Sequence, residues 1–134
     1  MRVFLDTNVL ASALATRGLC ADLFESVLAE HELVASKEML EELERALTLK
    51  FKVPGPVVKG FLALIVETAE TLAVPGDIPK GIPDPDDAPL IAAALAAGAA
   101  CFVTGDKALL ALEQVTGMPI LSPRQFWEQT RLGR

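Results

Sequence analysis

The chain has 134 residues, half of them apolar (51%), and carries a net charge of −6 with an isoelectric point near 4.7. That length fits one domain (1–134) with a buried core, and the acidity argues against holding nucleic acid by bulk electrostatics. Two cysteines and one histidine leave almost no material for a Ser-His-Asp, Cys-His or zinc chemistry.

Residues 2–5 (RVFL) read as a strand, and the acid Asp6 follows at once, without the apolar run of a leader peptide. Apolar spacing predicts a helix over 20–31, with His31 at its end, and a strand over 32–36. Ser36 is placed to cap a helix over 37–51. Residues 56–73 read as one further helix, and 76–89 form a loop rich in Pro, Gly and Asp. Then follow a helix over 90–98, a strand over 100–104, a helix over 107–115, a strand over 119–122 and a helix over 123–130. No apolar stretch reaches the ~20 residues of a membrane span, so a cytoplasmic location is expected. Alternation of short apolar strands with helices predicts an α/β fold with a mostly parallel sheet.

Ligands bind outside the carboxyl ends of the strands in such sheets, which directs attention to residues just past them. Asp6 and Asp106 each follow a strand, the acids Asp84, Asp86 and Asp87 open a helix, and Glu38, Glu41, Glu42 and Glu44 lie on another. At about 100° per residue, Met39, Leu40, Leu43, Ala46 and Leu47 form a buried face. Glu41 then points to solvent, while Glu42 and Glu44 flank the stripe; Glu42 is nearer the strand end and is the better candidate. On the later helix, Leu90, Ile91, Ala94 and Leu95 mark the packed face and Asp87 projects onto its centre. Pro89 must sit in the first turn, so these acids also suit a helix cap. Crowded carboxylates repel unless a cation lies between them, and hard oxygen ligands suit Mg²⁺ or Mn²⁺. Asn8 and Thr104 stand where they can orient a carboxylate or a water, or can serve as turn residues. Arg45, Lys50, Lys52 and Lys59 make the one basic run, which is either an RNA-binding patch or a solvated helix face.

Four blocks, FLDTNVLASAL, ASKEMLEELERAL, DPDDAPLIAAALAAGAACFVTGDKALLAL and PILSPRQFWE, together resemble the PIN-domain proteins. Among these the chain is most similar to the VapC-like ribonuclease toxins of toxin–antitoxin pairs. The resemblance spans nearly the whole chain and implies a three-layer α/β/α sandwich. It implies an endoribonuclease using Mg²⁺ or Mn²⁺ on an acidic quartet that falls on Asp6, Glu42, Asp87 and Asp106. Where many relatives carry a further Asp or Asn this chain has Ala88, which leaves the third position open between Asp87 and its neighbours Asp84 and Asp86. A small antitoxin and a homodimer are the partners implied, and Phe61, Leu62, Leu64 and Ile65 offer a surface for them. The competing reading is a PIN-like adaptor that keeps its acids but binds without cutting. A haloacid-dehalogenase phosphatase needs an acid two residues after Asp6, where Asn8 stands.

Overall fold

The computed structural model describes residues 1–69 and 71–131. Its centre is β1 (Arg2–Leu5), whose last three residues are buried. Burial on both faces is what a parallel strand between helical layers requires, and it explains the unbroken apolar run. The chain continues through α1 (Thr7–Ala15), α2 (Leu19–Glu30), β2 (Glu32–Ser36), α3 (Lys37–Arg45), α4 (Gly55–Thr68) and β3 (Thr71–Ala73). It returns through α5 (Ala88–Ala96) to β4 (Cys101–Val103), then α6 (Lys107–Leu110), β5 (Gln114–Val115), β6 (Met118–Leu121) and α7 (Pro123–Arg131).

The strands form a six-stranded sheet in the order β3-β2-β1-β4-β6-β5. All pairings are parallel except that of β5 with β6. The fold is the three-layer α/β/α arrangement. The chain winds outward from β1 to β3, then crosses back to β4 on the other side of β1. That reversal puts the topological switch point at the ends of β1 and β4, the place where such sheets bind ligands. Phe4 of β1 and Phe102 of β4 are register partners, and their rings stack at 5.1 Å with the planes 8° apart. The pair holds the two strands that carry Asp6 and Asp106 in fixed relation.

Helix α3 is started by Ser36, whose Oγ accepts the Met39 amide at 3.2 Å. Met39, Leu43 and Leu47 follow at four-residue spacing and are fully buried. The helix then widens into a π-helical turn over Ala46–Lys50, closed by Phe51 N–H donating to the Ala46 carbonyl at 3.0 Å. Helix α5 is mostly alanine and buried nearly all round, so its backbone lies close on the sheet. Among the described residues no helix is long and apolar enough to cross a membrane.

Three features differ from the sequence reading. Residues 7–15, given no element above, form α1, which Asp6 starts by accepting the Thr7 amide. The helix expected over 56–73 stops at Thr68, whose hydroxyl donates back to the Leu64 carbonyl at 2.6 Å. Residues 71–73 pair instead with β2 as an edge strand, with Leu72 outward at 64% exposure and Ala73 inward. Helical propensity there yields to sheet pairing. The helix expected over 107–115 stops at Leu110, because Gln114 and Val115 turn back on β6 through Thr116 and Gly117. Both turn residues have positive φ, 49° and 83°, as a tight two-residue hairpin demands.

Candidate active site

Asp6 leaves β1 with extended backbone, φ −62° and ψ 153°. Its own N–H donates to the Val103 carbonyl at 2.9 Å, fastening it to the end of β4. The carboxylate is nearly buried, 4% exposed. Oδ1 accepts the Thr7 amide at 2.8 Å, and Oδ2 accepts the Thr104 hydroxyl at 2.7 Å. The Thr104 oxygen in turn accepts the Asp106 amide at 3.0 Å. Thr104 therefore joins the two strand-end acids through one hydroxyl. Asp106 starts α6, its Oδ1 accepting the Ala108 and Leu109 amides at 2.8 and 3.2 Å. Its Oδ2 makes no hydrogen bond among the described residues and stays open. Burial pushes the Asp6 carboxyl above its usual range; the donors Thr104 and Thr7 pull the other way, and the Asp106 charge adds to the rise.

Glu42 and Asp87 come from α3 and the start of α5, two helices in contact with each other. Burial raises the Glu42 carboxyl, and Asp6 raises it further; Arg45 opposes, while Asp86 and Asp84 add to it. Asp87 is pushed to about 7, first by burial, then by Asp6, Asp84, Asp106 and Glu42 in turn. Its position begins α5, yet its side chain makes no capping hydrogen bond. Two reasons are visible: its backbone is helical (φ −80°, ψ −21°) rather than extended, and Pro89 removes an amide it would bind. Asp84 does the local work instead, accepting the Asp86 amide at 2.9 Å. Asp84 and Asp86 are exposed, and Asp87 is half-buried.

Asp6, Glu42 and Asp87 thus sense one another's charge, and Asp106 adds to the rise at Asp6 and Asp87. Among the described residues no three Asp, Glu, His or Cys side chains stand near enough to close on one ion. The donor set nevertheless fits a hard divalent cation. It is all carboxylate, three members keep open oxygens, and their mutual repulsion is what positive charge relieves.

Asn8 lies exposed on α1 and makes no side-chain hydrogen bond among the described residues. Glu41 points to solvent and pairs with Lys37 at 3.9 Å. Glu44 is exposed and lines an outer groove between α3 and α4. Arg45 lines a cleft of about 390 Å³ with Glu38, Glu42, Pro85, Asp86 and Pro89. Lys50, Lys52 and Lys59 are exposed and take no part in that cleft; Lys50 lies over the Phe51 ring at 5.8 Å. Thr7 was not singled out in the sequence. It is buried, gives its amide to Asp6, and leaves its hydroxyl without a partner. The available signal was an Asp followed by Val9 and Leu10 at helical spacing, an N-cap pattern.

The family model described as PIN domain matches residues 2–108, four fifths of the chain and both strand-end acids. The chain belongs to the PIN-domain family. PIN domains are in general nucleases, and divalent metals are typical of them. Among solved structures, this PIN domain resembles a chain of the crystal structure of VapBC2 from Rickettsia felis bound to a DNA fragment from their promoter. The TM-score is 0.63 at 15% identity, covering 91% of this chain and 98% of that one, a likeness of fold. No curated protein matches the chain.

Proposed function

We propose that this PIN domain is an endoribonuclease dependent on Mg²⁺ or Mn²⁺, and the toxin of a toxin–antitoxin pair. The observation that supports the reading is that the carboxyls of Asp6, Glu42 and Asp87, past the ends of β1 and β4, are each raised by burial and by neighbouring acids, Asp106 among them for Asp6 and Asp87. When bound there, a divalent cation lowers the pKa of water and offsets charge on a phosphodiester. Asp6 is held by Thr7 and Thr104, and Asp106 by two helix amides, so both present fixed oxygens. Asp87, its carboxyl pushed up to about 7, would lose its proton readily beside a bound cation.

A side-chain nucleophile finds no support among the cysteines. Burial pushes the Cys101 thiol up to about 12 and raises that of Cys20, and the thiolate is the reactive form. His31 ends α2, packing edge-on against Phe126 at 5.6 Å.

The neighbour VapBC2 is a complex bound to promoter DNA; by analogy, a small antitoxin is the partner proposed for this chain. A groove of about 600 Å³ between α3 and α4, floored by Leu40, Leu62, Val66 and Leu72, is where we place it. Glu41, Glu44 and Glu67 line it against one cation, Lys37, which pairs with Glu41; that net acidity favours a basic, apolar segment over a second copy of this acidic chain. The proposed homodimer then uses another face.

Incubation of purified protein with RNA tests the reading. Cleavage that appears with Mg²⁺ or Mn²⁺, stops with chelator and is lost in Asp6→Asn supports it. RNA left intact at every metal concentration contradicts it. The alternative is a PIN-like adaptor that binds without cutting. RNA bound but never cut is its signature.

A further inference from the structure

We infer that the cleft between α3 and the start of α5 is a subsite for one nucleotide of single-stranded RNA beside the cut, with Arg45 gripping its phosphate. The inference rests on the ribonuclease reading and adds to it a place and a residue. The cleft adjoins the candidate active site through Glu42, which lines it together with Arg45, Asp86 and the rings of Pro85 and Pro89. At about 390 Å³ it lies within the roughly 300–1,000 Å³ usual for small-ligand sites.

Among the described residues Arg45 is the sole cation lining this cleft, beside four carboxylates: Glu38, Glu41, Glu42 and Asp86. Its charge is near enough to lower the Glu42 pKa. Even so, none of the ion pairs within 4.0 Å among the described residues includes it. An exposed guanidinium held beside acids but bound to none keeps its planar fork for another anion, and phosphate matches that fork. The position is set by the helix: Arg45 follows Glu42 by three residues, so both side chains lie on one face of α3. The π-helical turn begins at the next residue, Ala46. That turn carries Lys50, and Lys52 and Lys59 lie further on; none of the three lines the cleft. Arg45 alone of the basic run therefore reaches the site. The two proline rings supply an apolar wall for a ribose or a base, with no hydrogen-bond code, so the subsite selects for phosphate and an unpaired strand rather than for sequence.

Cleavage of a short fluorescent single-stranded RNA by the full chain, in Mn²⁺ at several salt concentrations, tests this. Arg45→Ala, Arg45→Lys and the distant control Arg17→Ala are compared with wild type. Arg45 and Arg17 are both exposed, so each variant should keep the wild-type melting temperature, and the two alanine variants make the same change in net charge. Arg45→Ala is expected to raise KM about tenfold with kcat within about twofold. Its salt slope should fall by roughly 0.7, one phosphate contact to a single strand. Arg45→Lys should recover part of the KM, and Arg17→Ala should match wild type. A KM for Arg45→Ala no different from that of Arg17→Ala overturns the subsite, as does a loss of kcat with KM unchanged. Wild-type protein that cuts no RNA in any divalent metal overturns the ribonuclease reading and this inference with it.

Discussion

At the scale of single residues, the proposed site turns on one buried carboxyl, Asp6, and on what surrounds it. Its surroundings raise its pKa on balance, so the metal-free protein carries an electrostatic strain there. Asp6→Asn removes the charge and keeps an oxygen for the Thr7 amide. The expected result is loss of RNA cleavage by at least about a hundredfold, with metal-free melting unchanged or slightly higher. Early melting with activity per folded molecule intact would make Asp6 a structural residue. Asp87 gives a pH signature. Its carboxyl is pushed up to about 7 from an ordinary value of 3.8, so the folded state binds the proton more tightly. The contribution of Asp87 to metal-free stability should be fullest below that lower value and fall as pH rises toward 7. Melting curves without metal from pH 4.5 to 7.5 check this, and Asp87→Asn should flatten the slope. A slope equal in both proteins would place the titration elsewhere. As Asp87 is half-exposed, the direction is the prediction, not the size.

At the scale of elements, the hydrogen-bonded run from Asp106 N–H through Thr104 to Asp6 ties β4, α6 and β1 together. Thr104 is fully buried, and Thr104→Val leaves the Asp6 carboxylate and the Asp106 amide each short of a partner. A loss of about 1–3 kcal/mol is expected, read by denaturant unfolding, together with reduced cleavage. Unchanged stability would show that water replaces the hydroxyl. The sequence made the strand ends legible, because a buried parallel strand is a short apolar run and the acid after each one is conspicuous. It made α3 legible for a similar reason: Met39, Leu43 and Leu47 repeat at helical spacing. Segments with two competing periodicities were harder. Residues 71–73 suit a helix locally, and only pairing with β2 makes them a strand. Residues 111–115 continue the apolar pattern of α6, while the signal that ended it, Thr116-Gly117, lay further on. Which opening acid of α5 turns inward was set by the backbone of Asp87 and by Pro89, beyond the reach of spacing alone.

At the scale of the molecule, the winding of the sheet puts Asp6 and Asp106 side by side although a hundred residues separate them, and the α3–α5 contact adds Glu42 and Asp87. The outward face is less complete. Phe61 and Ile65 of α4 are buried, while Leu64, Val66 and Leu72 are exposed. Sedimentation at micromolar concentration should give twice the 14.3 kDa chain mass; a clean monomer would remove the homodimer and leave the antitoxin as the proposed partner. The central claim is that Asp6, Glu42, Asp87 and Asp106 act as one cation site. The most direct measurement is the rise in melting temperature on adding Mn²⁺ at pH 7.5, for wild type and for Asp6→Asn, Glu42→Gln, Asp87→Asn and Asp106→Asn. A ligand at a hundred times its Kd adds about 2.7 kcal/mol to stability, a shift of several degrees in a chain of this size. The account predicts that shift in wild type and less than half of it in every variant. A shift that survives intact in all four variants, or none in wild type at millimolar Mn²⁺, would contradict it.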